Sequence, residues 1–165
     1  MESDHLLSLA LKDAAIAYGS LERPDFAFVT SAYQRQPYRS LVEALSSFAV
    51  VEDDTHLDDD VCFQYKISTK SGSWRLLLSM VGPYAMLFRA PKAHRWTSRV
   101  ILEPIVDDFS KEEKLISGLA DEWGFTFLSG GQSKISVEFP SWPGGPMEEG
   151  PLYRVLFSDV FDLAW

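Results

Sequence analysis

The chain has one cysteine, Cys62, and three histidines, His5, His56 and His94. A lone thiol forms no internal disulfide, so the fold asks for no oxidising compartment. The histidines are not spaced as a metal pair, and the chain contains no His-Glu-x-x-His, Gly-x-Ser-x-Gly or lysine-bearing phosphate loop. Zinc hydrolysis, elbow-serine chemistry and nucleotide cradling are therefore unexpected, and no cofactor is expected. No apolar run approaches the roughly 18 residues of a membrane helix. The first residues, Met1-Glu2-Ser3-Asp4-His5, carry acid where an export signal carries positive charge. The expectation is a soluble cytoplasmic protein without membrane contact.

Positive charge is scarce as well. Lys and Arg number 15 against 24 Asp and Glu, a net charge of −9. Nucleic-acid binding needs a basic surface to displace counterions from phosphate, so that partner is not expected. The rest of the composition is ordinary. With 46% hydrophobic and 24% charged residues in 165, one globular domain spanning residues 1–165 is expected.

Periodicity places the elements. Leu7, Leu11, Ala14 and Tyr18 form a helical stripe, predicting a first helix over 4–18 that Gly19 stops. Residues 25–30 read as a short strand or a loop. A second helix is expected near 37–48, started by Pro37 at its first position or by the capping-box spacing of Ser40 and Glu43. Residues 61–106 read as an antiparallel meander of about four strands. Val61, Phe63, Tyr65 and Ile67 alternate with Cys62, Gln64, Lys66 and Ser68, and Lys70-Ser71-Gly72-Ser73 and Gly82-Pro83 supply turns. Ser110 and Glu113 make a second capping-box spacing ahead of Leu115, Ile116, Leu119 and Trp123, with Gly124 as the stop. Further strands are expected over 125–128, 134–139 and 152–157, the first two joined by a Ser129–Gln132 hairpin. The class is α+β: a mostly antiparallel sheet, a meander plus C-terminal strands, with helices packed on one face.

Charge is unevenly spread. The acid is densest in Glu52-Asp53-Asp54-Thr55-His56-Leu57-Asp58-Asp59-Asp60. This is not a helix-loop-helix calcium loop, because no glycine stands at its sixth position. It reads as a solvated loop, as an acidic surface for a cationic partner or, third, as carboxylate ligands for calcium or magnesium. The stretch Arg89–Arg99 is its basic counterpart: a charged hairpin that discourages edge pairing first, with a phosphate contact using Trp96 as a stacking platform or an internal pairing with the acid as the other readings. Cys62 lies beside Asp58, Asp59 and Asp60. Negative neighbours raise a thiol's pKa, so it reads as structural, not nucleophilic. Asp107 and Asp108 precede a helix and suit its positive end. Trp142 stands among Pro140, Pro143, Gly144, Gly145 and Pro146. It reads as a rigid interface anchor or as a lid folding onto the core.

The function expected from this balance is non-enzymatic protein binding. The leading form is an acidic immunity or antitoxin-type protein that occludes the active site of a basic toxin. Asp53, Asp54, Asp58, Asp59 and Asp60 would steer the encounter and Trp142 would anchor it. Two alternatives stay open. One is a dimeric secretion-type chaperone that holds an extended client. The other is a small enzyme with a site assembled from scattered residues such as His94, Arg99 and Asp107. Monomer and homodimer are both compatible with the sequence.

Overall fold

The computed structural model describes residues 2–90, 104–140 and 143–158. Three helices open the chain: α1 (Glu2–Tyr18), α2 (Ala27–Arg35) and α3 (Arg39–Ser46). Strands β1 (Val50–Asp53), β2 (Cys62–Ser68), β3 (Ser73–Ser79) and β4 (Tyr84–Arg89) follow, then α4 (Lys111–Glu122) and β5 (Thr126–Phe127). A short helix α5 (Gly130–Ser133), a hairpin of β6 (Ser136–Pro140) and β7 (Met147–Pro151), and helix α6 (Leu152–Leu156) complete it.

The main sheet has the order β1-β2-β3-β4-β5. Its first four strands pair antiparallel, and β5 joins β4 in parallel. The α+β class and the mostly antiparallel sheet are as expected. The helices, expected on one face, cover both. Phe63, Tyr65, Ile67, Trp74, Leu76 and Leu78 pack beneath Leu41 and Leu45 of α3 and Ile116 and Ala120 of α4. On the other face Cys62, Leu77, Tyr84, Met86 and Phe88 meet α1, the β6–β7 hairpin and α6. The meander strands are therefore buried on both sides at their centres, and the face of Cys62 and Gln64, read as polar, lies inside.

Local chemistry explains the best-read elements. Ser110 Oγ accepts the Glu113 N–H, and Glu113 accepts the Ser110 N–H in return, which closes the capping box of α4. Gly124 follows that helix at φ +82°, a conformation that costs glycine little. The β2–β3 turn closes with Thr69 N–H on the Gly72 carbonyl at 2.9 Å.

Other expectations need correction. Residues 25–30, read as strand or loop, enter α2, and Asp25 Oδ1 accepts the Ala27 N–H at 2.9 Å at its start. Neither start proposed for the second helix is used. Tyr38 is the N-cap of α3, and Glu43 pairs with Arg39 instead of Ser40. Ser129–Gln132 is not a hairpin, because Ser129 and Gln132 form a capping box that starts α5 and sends β5 and β6 to different sheets. Residues 152–157, read as a strand, form α6, whose Leu152, Tyr153, Val155 and Leu156 are all buried. Of the fourth meander strand only 104–106 lies among the described residues, with a single bridge from Pro104 to Phe88. Among the described residues no helix is long and apolar enough to cross a membrane.

Candidate functional site

The acidic run begins in Glu52 and Asp53, the last two residues of β1 at the edge of the sheet, and continues as a loop to Asp60. Its backbone is held at several points. Asp54 N–H donates to the Gln64 carbonyl at 2.8 Å, and Gln64 N–H donates to Thr55 Oγ1 at 3.0 Å. Thr55 N–H turns back onto Asp53 Oδ1 at 3.0 Å. The N–H groups of Asp59 and Asp60 both reach the His56 carbonyl, at 3.1 and 2.8 Å, and form a tight turn. Val61 N–H then donates to the Phe157 carbonyl at 2.8 Å, and Ser158 Oγ to the Asp59 carbonyl at 3.3 Å. The loop is thus clasped between β2 and the segment after α6.

A buried polar cluster lies beneath it. The Asp60 carboxylate accepts the His56 N–H at 3.0 Å and Gln64 Nε2 at 2.7 Å. Gln64 Oε1 in turn accepts Arg75 Nη1 at 3.1 Å. Arg75 Nη2 also reaches Asp54 Oδ2 at 3.3 Å, and Lys66 Nζ meets the same oxygen at 3.3 Å. His56 Nε2 stands 3.8 Å from Asp54 Oδ1. Asp54, His56, Asp60, Gln64 and Arg75 line a cleft of about 280 Å³ together with Asp59 and Ser158. Burial raises the pKa of Asp60, while hydrogen bonds from Ser158, His56 and Gln64 pull it down. Burial lowers that of Arg75, and the charge of Asp54 raises it.

The five carboxylates expected to act together are thereby divided. Asp60 is buried and Asp54 is committed to Lys66 and Arg75, so both serve the interior. Asp60 does not reach the surface assigned to it. Asp53 is exposed, and its carboxylate accepts the Tyr33 hydroxyl at 3.0 Å. Asp58 and Asp59 are exposed, and no described side chain pairs with their carboxylates. Leu57 beside them is 38% exposed. The surface the loop offers is Glu52, Asp53, His56, Leu57, Asp58 and Asp59.

Trp142, His94 and Arg99 lie outside the described residues, as does most of the basic stretch. Arg89, its first member, is held by Glu113 and not by the acidic loop. Asp107 and Asp108 are exposed ahead of α4. Cys62 is buried, and burial, then Asp60, raises its thiol pKa, against the pull of Arg75. Among the described residues no three His, Cys, Asp or Glu side chains converge as a metal ligand set. Sequence reasoning missed Arg75 and Gln64. The signal was present: Arg75 is the only charge in Trp74-Arg75-Leu76-Leu77-Leu78. A charge in such a run must find a buried partner.

No family model, no curated protein and no solved structure matches this chain.

Proposed function

We propose that the protein binds another protein and covers a cationic surface on it, in the manner of an immunity protein on a basic toxin. The supporting observation is the division of the acidic run. Two carboxylates are spent on holding the loop, and the exposed ones are displayed on a backbone already fixed by Gln64, Thr55, Phe157 and Ser158. A surface ordered before binding loses little conformational entropy on docking. Its unpaired charges raise the encounter rate with a basic partner more than they lengthen the lifetime of the complex. The cost of ordering the loop is met by the fold itself.

The test is capture of the cognate partner from the host followed by association kinetics across ionic strength. The association rate should fall by about tenfold or more from low to high salt while dissociation changes little. The double variant D58N/D59N should show the same loss at low salt. The captured partner's own activity should be blocked in the complex. An association rate that ignores both salt and these two charges rejects the proposal.

A further inference from the structure

Among the described residues no strand pairs with the outer edge of β1. Because Asp54 N–H bonds to the Gln64 carbonyl, the antiparallel phase turns the backbone groups of Glu52 and Val50 toward β2. The N–H and C=O groups of Val51 and Asp53 therefore point away from the sheet, and no described residue bonds to them. Such an edge is a template for a further strand.

The side chains around it select by charge. Glu52 is exposed and stands across from Lys66, yet the Lys66 ammonium is held by Asp54. The Glu52 carboxylate is left without an ion pair among the described residues. Val50 on the same face of β1 is 63% exposed. Val51, on the opposite face, packs partly against the core under α3. Asp58 and Asp59 lie just beyond the strand. A second copy of β1 paired antiparallel about Glu52 or Asp53 brings acid directly against acid, and one paired about Val51 still sets the two Glu52 carboxylates diagonal to each other, which is unfavourable between paired strands. A strand with Lys or Arg opposite Glu52 and an apolar residue opposite Val51 meets charge with charge and backbone with backbone.

We infer that β1 is the docking edge for an extended lysine- or arginine-bearing segment of the partner protein, which adds to the sheet beyond β1. The inference rests on the acidic-surface reading above and specifies how the partner is held. The same carboxylates exclude identical copies and admit a basic strand, so one feature rejects the wrong partner and attracts the right one.

The test uses the whole protein and two short synthetic peptides of equal charge, one alternating lysine with valine and one alternating lysine with proline. Proline supplies no backbone donor and resists the strand geometry. The lysine–valine peptide should bind at least about tenfold more tightly, the value of one to two net backbone hydrogen bonds. Its binding should slow amide exchange at Val51 and Asp53 by about tenfold or more while leaving the β2-facing amides of Glu52 and Asp54 unchanged. E52Q should weaken it about two- to fivefold without altering the melting transition. Equal binding of the two peptides, no binding of either, or unchanged exchange at Val51 and Asp53 overturns the edge. Dimerisation of the free protein through β1 does so too. In those cases the acidic-surface reading still stands or falls separately, on the salt dependence and on D58N/D59N.

Discussion

Arg89 and Glu113 form a two-point ion pair, Nε to Oε1 at 2.7 Å and Nη2 to Oε2 at 2.8 Å. The same carboxylate accepts the Trp74 indole N–H at 2.9 Å and the Ser110 N–H at 2.7 Å. One buried acid thus ties β3, β4 and the start of α4 together. Arg89 and these donors hold its pKa down to about 2, against the opposing effect of burial. A depressed folded value gives stability that is present above the unfolded pKa of about 4.3 and lost as pH falls toward 2. Glu113→Gln should cost about 1–3 kcal/mol at neutral pH, toward the low end because solvent reaches Arg89. The difference from wild type should shrink through that acid window in urea melts at stepped pH. A gap of constant size would show that the charge of Glu113 contributes nothing.

Asp60 has the opposite sign. Its raised pKa means that its contribution is full below the unfolded value of about 3.9 and lost as pH rises through the folded value. Asp60→Asn keeps an acceptor for Gln64 Nε2 and the His56 N–H and removes the buried charge. It should be tolerated better at neutral pH than in acid. Asp60→Ala leaves those donors without their acceptor and should cost about 2–4 kcal/mol. Hydrogen exchange should then rise across 54–61 and 157–158 together, since Val61 and Phe157 share the clasp. The exposed pair D58N/D59N should move stability by less than about 0.5 kcal/mol. That contrast separates the carboxylates that hold the loop from those it displays.

Gly82 packs where a side chain does not fit. A Cβ there would lie 2.6 Å from the Tyr84 ring and 3.0 Å from Asp13 Oδ2. Tyr84 is itself fixed by donating its hydroxyl to that oxygen at 2.6 Å, which ties the sheet to α1. Gly82→Ala must push the ring and should cost about 1–3 kcal/mol. Adding Tyr84→Leu to make room should recover part of that loss in thermal melts. Additive losses in the double variant would place the strain elsewhere.

The elements legible in the sequence are those whose signal is local. β2 shows in alternation, β3 and β4 show as apolar runs bounded by turn residues, and α4 shows in Ser110, Glu113 and Gly124. The elements that were missed depend on distant contacts. Residues 152–157 are apolar at nearly every position, and such a run carries no period that separates strand from helix. β5, expected over 125–128, is present but only two residues long, and its parallel pairing with β4 carries no local signal. The Ser129–Gln132 capping box was present in the letters, but the two glycines inside it suggested a turn. The acidic run shows the limit most clearly. Asp58, Asp59 and Asp60 are the same residue in succession, and it is the bridge from Asp60 to Ser158 and the hydrogen bonds from His56 and Gln64 that set the third one inside.

Cys62 offers a direct reading of how tightly that interior is closed. Its thiol is buried beneath α1 and α6, and burial together with Asp60 raises its pKa. Thiol reagents attack the thiolate, so both access and ionisation oppose reaction. Wild type should stay unlabelled by a chromogenic disulfide reagent at neutral pH and react fully in denaturant. In Asp60→Ala the clasp between Val61 and Phe157 is weakened next to the thiol, so labelling should begin under native conditions. While reclosing outpaces labelling, its rate should follow the population of the opened form and rise with reagent concentration; once opening limits it, the rate should level off at the opening rate. Rapid labelling of the native wild type would mean that Cys62 is open to solvent. Equal protection in Asp60→Ala would mean that the buried carboxylate does not hold the clasp shut.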